Sequence, residues 1–293
     1  IAAGSNHFTV LLDDGSVVSW GQNTKNQTNA PGGNNYVDIS ADYLQNYAIT
    51  DAGKVSTWGL KGYLMGTDDV GRDIFPRLLE GGRVSLSVGI IAVVIASIIG
   101  IVIGGISGYF GGKTDVFLMR VTEIFNAIPF LPFAILLSYI VGSNVTPYMR
   151  VFLMMAILGC LNWAPLARLV RGQILSVREN EYITAAKAMG VNETSIFVRH
   201  MFPNILGSVL VNITLRITVA MIYESTLSFI GFGIKEPTPS WGNMLSTSLD
   251  ANAIRSYWWC WAFAAATLCL ATISIYMIGD GLRDAVDPKS SER

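Results

Sequence analysis

Residues 107–114 read SGYFGGKT, one substitution short of a phosphate-gripping loop. The pattern G-x-x-x-x-G-K-[ST] wraps phosphates in backbone N–H groups, but it needs Gly where Ser107 stands, with a strand before it and a helix after it. A long apolar run precedes it here, so the stretch reads as a turn at a helix end, with Lys113 meeting lipid headgroups. The two histidines, His7 and His200, lie far apart, and Cys160, Cys260 and Cys269 all fall inside apolar runs. No Ser-His-Asp set, paired carboxylates, C-x-x-C pair or metal-spaced cluster is present. The expectation is no catalytic residue, no metal and no cofactor. Two ionisable residues stand out by position instead: Arg216 lies deep in an apolar run, and Glu224 lies just past its end. A charge is costly inside a membrane and marks a functional position by default. Eight residues of helix separate the two by about 12 Å, too far for a direct pair.

The elements around these residues are apolar. Of 293 residues, 51% are hydrophobic and 14% charged, and the mean hydropathy is +0.45; soluble domains carry roughly 25% charged residues. A net charge of −1 argues against a nucleic-acid partner. About 20 apolar residues cross a bilayer as a helix, and five runs qualify: 84–112, 124–149, 151–167, 201–223 and 256–279. Pro129 and Pro132 should kink or end a helix in the second. Arginines flanking the third can snorkel. Five such runs make buried helices of a soluble protein the weaker alternative.

Lys and Arg in short loops set orientation. One side carries Lys113, Arg120, Arg168, Arg171, Arg178, Lys187, Arg199, Arg283, Lys289 and Arg293; the loops of the other carry Arg150, Lys235 and Arg255. Arg72, Arg77 and Arg83 before the first run reduce the contrast. The balance places 178–203 and the C-terminus in the cytoplasm and the N-terminal part outside. The sequence starts at Ile1 without a signal-peptide pattern. The expectation is that an earlier span precedes it.

Between the third and fourth runs lies EYITAAKAMGVNETSIFVRHMFP, residues 181–203. Ala185 and Ala186 are small enough for a partner to approach the backbone. Tyr182, Ala186 and Met189 share a helical face. Gly190 suits the left-handed residue that ends a helix. Asn192 can cap the next helix with Glu193 in its first turn, and Pro203 can open the following span. The result is a helix–Gly–helix elbow. The pattern leaves two readings open: a helix docked in a partner's groove, or one lying on headgroups.

The N-terminal sixty residues differ. Offset by 38, IAAGSNHFTVLLDDGSVVSWG (1–21) and ISADYLQNYAITDAGKVSTWG (39–59) share Ile1/Ile39, Ala3/Ala41, Asp13/Asp51, Gly15/Gly53, Val17/Val55, Trp20/Trp58 and Gly21/Gly59. A fixed period of this size signals repeats, here two strands around a tight Asp/Gly turn. These units resemble RCC1-like β-propeller repeats. A closed propeller takes at least about four blades, so either more units lie upstream or the pair is a small inserted module. An external spacer and a ligand-binding module are equally open readings.

Ala185, Ala186, Gly190 and Pro203 stand at the spacing of the EAA loop of binding-protein-dependent ABC importer permeases. MGTDDVGRDIFPRLLEGGRVSLSVG (65–89), RENEYITAAKAMG (178–190), RHMFPNI (199–205), SFIGFGIKEPTPSWGNML (228–245) and GDGLRDAVDP (279–288) resemble the dipeptide, oligopeptide and nickel branch. The resemblance covers about 64–288. It implies an α-helical polytopic membrane protein, five of whose transmembrane helices are present and whose family first helix is missing, joined to a small N-terminal all-β repeat module. It implies domains at 1–60 (outside), 61–83 (an amphipathic linker outside), 84–282 (the membrane domain, with its coupling loop at 178–203) and 283–293 (a cytoplasmic tail). The chain is then one of two homologous permease subunits, not an enzyme itself, working with two ATP-binding subunits and an extracellular solute-binding protein in membrane lipid. Glu181, Tyr182, Ala185, Ala186, Gly190 and Pro203 are the expected ATPase-coupling residues. Thr184 departs from the loop's usual Glu, with Glu179 and Glu181 nearby.

On this reading Arg216 either lines the translocation path or pairs structurally, the second being preferred. Trp241 either anchors in the membrane interface or touches the binding protein, the first being preferred. Two rival functions are an ion-coupled transporter and an external β-module on a membrane anchor. The scarcity of ionisable groups in the spans counts against the first, and five kinked spans exceed what the second needs.

Overall fold

The computed structural model describes residues 1–60, 63–141 and 145–286. Two compact units are formed: Ile1–Leu79 with Ser248–Phe263, and Glu80–Thr247 with Ala264–Arg293. Residues 287–293, most of the expected tail, and 61–62 of the expected linker lie outside the described residues.

The first unit begins with six strands: β1 (Ala2–Ala3), β2 (His7–Leu11), β3 (Val17–Gly21), β4 (Tyr36–Ala41), β5 (Gln45–Thr50) and β6 (Val55–Gly59). They form two antiparallel three-stranded sheets, β1-β2-β3 and β4-β5-β6. The period of 38 reappears in the hydrogen bonds. Gly15 N–H donates to Leu12 O at 3.0 Å, and Gly53 N–H to Thr50 O at 2.9 Å. Both turn glycines are left-handed, at φ 78° and 75°, which is why the turns need Gly. The two sheets bury the two sides of the repeat unequally. Trp58 is 6% exposed, and its Nε1 donates to Ser19 Oγ in the other sheet. Its counterpart Trp20 is 50% exposed and stacks on Phe8. His7, Thr9 and Asn46 are buried where the sheets meet: Thr9 Oγ1 donates to Asn46 Oδ1 at 2.6 Å, and Asn46 Nδ2 donates to Gln27 O.

The segment MGTDDVGRD folds around one carboxylate. Asp68 accepts from the Val70 and Arg72 N–H groups and from Arg72 Nε, and Gly66 and Gly71 are left-handed. Ile74 N–H donates to Gly66 O as the first long helix starts. That start lies inside the segment expected to be a linker.

Among the described residues eleven α-helices follow: α1 (Ile74–Phe110), α2 (Gly112–Ala127), α3 (Phe130–Val141), α4 (Pro147–Leu161), α5 (Ala164–Arg178), α6 (Glu181–Ala188), α7 (Glu193–Ser195), α8 (Phe202–Phe229), α9 (Trp241–Leu245), α10 (Ala251–Ser256) and α11 (Trp258–Val286). Among the described residues, three continuous helices are long and apolar enough to cross a membrane: Ile74–Phe110, Glu193–Phe229 and Trp258–Ala285. Two bent pairs, Gly112–Ala127 with Phe130–Ile140 (81°) and Pro147–Leu161 with Ala164–Arg178 (42°), raise the number to five if each is one span. The sharper bend falls where prolines were expected to interrupt the run. Ile128, before Pro129, is extended, as a residue preceding proline prefers. The milder bend precedes Pro165, which opens α5. α5 continues past Ala167 to Arg178, burying Ala164, Ala167, Val170 and Ile174 at helical spacing.

Candidate functional site

The elbow is built as its residue types suggest. α6 carries Glu181 in its first turn and Lys187 in its last, matching the helix dipole at both ends. It ends in a Schellman turn: Val191 N–H donates to Ala186 O at 3.2 Å and Gly190 N–H to Lys187 O at 3.0 Å. Gly190 has φ 76°. Nothing lies within 4 Å of where its Cβ would stand, so the backbone angle, not space, requires glycine. Asn192 caps α7, its side chain accepting from Ser195 N–H at 2.7 Å. One π-helical turn, Ile196–Met201, leads into α8, a local irregularity common near functional positions. Pro203 sits in the first turn of α8, directly after the π turn, where the continuous helix Glu193–Phe229 is already irregular.

Burial corrects one expected face. Ala186 is 5% exposed, and it packs with Ile183, Ile174, Ile196, Met201 and Ile205 in one apolar cluster. Tyr182 and Met189, expected on the same face, are 45% and 76% exposed. The inward stripe is therefore Ile183 and Ala186, three residues apart, and Ala186 presents nothing to a partner. Glu181, Tyr182, Ala185, Lys187, Ala188 and Met189 form the exposed side. Tyr182 Oη also accepts from Asn204 Nδ2 at 3.0 Å, which ties α6 to the start of α8.

The elbow stands on α5, and α5 stands on α1. A Cβ on Gly104 would collide with Ala167 O, and one on Gly108 would lie 2.8 Å from Ile174 Cβ. Gly100, Gly104 and Gly108 thus form a small-residue stripe that lets two helix backbones approach. GIVIGGISG carries that spacing in plain view, but small apolar residues offer no chemical signal. Arg171 grips Asp115 with two hydrogen bonds of 2.5 Å each, the bidentate geometry that makes arginine a strong carboxylate partner. Arg178 Nη1 donates to the Gly108 and Tyr109 carbonyls at 3.3 and 3.1 Å, capping the end of α1. SGYFGGKT is the turn expected. Ser107 is still in α1 and donates to Asp115, and Gly111, between α1 and α2, and Gly112, the first residue of α2, have φ 66° and 57°.

Near the other end of α8 is a polar hub. Glu224 is fully buried. Ser85 Oγ of α1 donates to its Oε2 at 2.8 Å and Ser228 Oγ to its Oε1 at 2.7 Å. Each hydroxyl also accepts a backbone N–H: Ser85 Oγ from Trp241 at 3.2 Å, Ser228 Oγ from Ile234 at 3.0 Å. Trp241 is 7% exposed, and a Cβ on Gly82 would lie 2.7 Å from its ring. Its expected place, at the membrane interface or against a binding protein, is corrected: it fills a glycine-lined slot inside the chain. Arg216 and Glu224 do not pair. Arg216 is partly buried, its Nε donates to Asn212 Oδ1 at 2.7 Å, and it borders a small pocket with Ala92, Leu158 and Asn162. Sequence reading singled out Glu224 but not its serines, which are unremarkable until the fold brings positions 85 and 224 together.

Residues 100–292 match the family described as binding-protein-dependent transport system inner membrane component, and residues 1–27 match the regulator of chromosome condensation (RCC1) repeat. An oligopeptide transport system permease protein of Haemophilus influenzae is 43% identical over 78% of this chain and 72% of that protein. A dipeptide transport system permease protein of Bacillus subtilis is 38% identical over 76% of this chain and 68% of its own length. The fold is similar to that of the MetNI methionine ABC transporter in inward-facing conformations, with a TM-score of 0.56 at 20% identity, covering 73% of this chain and 98% of that one. Long apolar helices, a capped helix–glycine–helix elbow and a match over two thirds of the chain agree: this chain belongs to the family of binding-protein-dependent transport system inner membrane components.

Proposed function

We propose that the chain is one of two homologous membrane subunits of an ATP-driven importer of peptides or related small solutes. The names of its relatives support that cargo class. Two ATP-binding subunits supply the energy and an extracellular solute-binding protein delivers the cargo. The chain itself performs no chemistry. In this reading five spans cross the membrane, counting each bent pair as one, and residues 84–282 are the membrane domain. The β-module at 1–60 and the linker at 61–83 lie outside, and the elbow and the tail at 283–293 lie in the cytoplasm. The Lys/Arg balance of the loops supports that orientation.

The observation that carries the reading is the elbow's split between an inner and an outer side. Ile183 and Ala186 fix α6 to the body, while Glu181, Tyr182, Ala185 and Met189 face out. A helix gripped from one side and bare on the other transmits a push from a partner docked on the bare side. Gly190 and Pro203 set its angle. ATP-driven closure of the ATPase pair then moves the elbow and, through α5 and α8, the spans.

The test is uptake of a labelled peptide by vesicles containing the permease pair and the ATPases, with the binding protein present. Met189→Asp should lower uptake at least 10-fold at equal complex assembly, because a charge and a shortened side chain replace the most exposed apolar group of the elbow. Wild-type uptake in that variant would remove the docking assignment.

A further inference from the structure

We propose that Glu224 is the latch that holds the hairpin 230–245 inside the membrane domain, and that the permease must keep this latch closed for α8 to convert elbow motion into transport. The inference rests on the permease reading above and goes beyond it. It makes Glu224 a positioning residue.

The hairpin turns back on the bundle. After α8 ends at Phe229 the chain passes Gly231, at φ 84°, and returns so that Ile234, Ser240, Trp241 and Met244 are all buried. α9 carries a capping box between Ser240 and Asn243. Asn243 Nδ2 reaches back to Thr238 O at 2.8 Å, closing the hairpin on itself. A Cβ on Gly242 would lie 2.6 Å from Ser225 Cα and from Ser225 O, and one on Gly81 would lie 3.2 Å from the Ser240 carbonyl carbon. The hairpin is therefore wedged between the start of α1 and the end of α8, with no room for a side chain at Gly242 and little at Gly81.

Glu224 is where the three segments meet. Ser85 comes from α1, Ser228 from α8, and the N–H groups of Trp241 and Ile234 from the hairpin. Each serine hydroxyl gives its one proton to Glu224 and accepts an N–H from the hairpin on a lone pair, and Ser225 Oγ adds a longer bond of 3.4 Å to Oε2. The carboxyl is thus an acceptor at both oxygens, and the chain of bonds runs from hairpin N–H through serine to Glu224 on each side. Without the carboxyl, both serine protons lose their acceptor in a place water does not reach, and unmade bonds there are costly.

The place of the hub along α8 gives it a role in the cycle. Phe202 and Glu224 stand 22 positions apart on one continuous helix, or about 33 Å at 1.5 Å per residue. The elbow is fixed to one end of that rod and the latch to the other. α1 runs beside it in the opposite sense: a Cβ on Gly89 would strike Met221 near the latch, while Gly104 and Gly108 meet α5 near the elbow. A displacement at the elbow reaches the hairpin through α8 only while the hairpin is gripped.

The experiment introduces Met244→Cys, at a position 3% exposed, after replacing Cys160, Cys260 and Cys269. The assembled transporter in vesicles is treated with a water-soluble maleimide, and peptide uptake and ATP hydrolysis are measured in parallel without that treatment. With Glu224 intact, the thiol introduced by Met244→Cys should react at least 10-fold more slowly than one introduced by Asn34→Cys at an exposed position of the β-module. Glu224→Ala should raise the rate of the hairpin thiol at least 10-fold and lower uptake at least 10-fold, while ATP hydrolysis continues. Glu224→Gln keeps the shape but turns an amide N–H toward a serine proton, and it should fall between the two. Should Glu224→Ala fail to assemble, the single variants Ser85→Ala and Ser228→Ala each remove one hydroxyl that joins a hairpin N–H to Glu224 and should each raise the labelling rate and lower uptake in the same direction. A hairpin thiol that stays protected in the altered hub overturns the latch. Loss of protection with uptake unchanged overturns its role in coupling. Vesicles whose unaltered complex shows no ATP-dependent uptake would speak against the permease reading, and the labelling rates would still judge the latch.

Discussion

Ala185 and Ala186 are neighbours with the same side chain and opposite surroundings, so one substitution tests two ideas. Ala186→Glu places a carboxylate in the cluster of Ile174, Ile183, Ile196, Met201 and Ile205. An ion held unpaired in such a site costs several kcal/mol even after relaxation. Taking about 3 kcal/mol as the lower end, and a factor of ten per roughly 1.4 kcal/mol, the packed elbow loses at least about 100-fold in population against its unpacked form. Lys187 lies in the same helix and offers a cleavage point for trypsin. When reclosing is faster than cleavage, the cutting rate follows the population of the open form. Cleavage after Lys187 in the purified permease should therefore accelerate about 100-fold in Ala186→Glu. Ala185→Glu should leave it within about threefold, because exposed substitutions usually stay within about 0.5 kcal/mol. In the reconstituted complex both variants should lose ATP-driven uptake, the first by unpacking the elbow and the second by charging its outer side. Equal trypsin rates in the two variants would refute the burial argument. A slow trypsin rate with normal uptake in Ala185→Glu would refute the outer side as the ATPase contact.

Gly190→Ala should cost about 1–2 kcal/mol, the penalty of a left-handed L-residue, because nothing crowds the site. Gly190→Asn should cost less, since Asn visits that region readily, and hydrogen exchange of the α6 amides would rank the two; equal exchange in both would show that the turn does not need glycine. For the orientation, Asn34→Cys in intact cells should react with an impermeant thiol reagent while Met189→Cys should not, and the reverse pattern would invert the topology.

Much of the architecture is present in the order of residue types alone. The apolar runs set the helices because a chain in lipid must satisfy its backbone internally, and Pro129 marked the sharpest bend because no tertiary contact can restore its missing N–H. The offset of 38 foretold two like strand–turn–strand units, since strand, turn glycine and strand are all local, but not the outer strands β1 and β4 that complete each sheet. Gly190, Asn192 and Pro203 announced the elbow for the same reason: caps and turns are fixed within a few residues. What was not local was not legible. In EYITAAKAM one helical face holds Tyr182, Ala186 and Met189, and an overlapping one holds Ile183 and Ala186; periodicity finds both and cannot say which meets the body. Only the packing of α6 on α5 and α8 settled it, because Ile183 and Ala186 fill the space between Ile174 and Met201. Trp241 suits a membrane interface and a core equally well by type, and the slot opened by Gly82, 159 positions away, decided for the core. Glu224 looked like a lone charge because its donors Ser85 and Ser228 lie 139 and 4 positions off. A serine four residues away is unremarkable until a distant helix brings the second one to the same carboxyl.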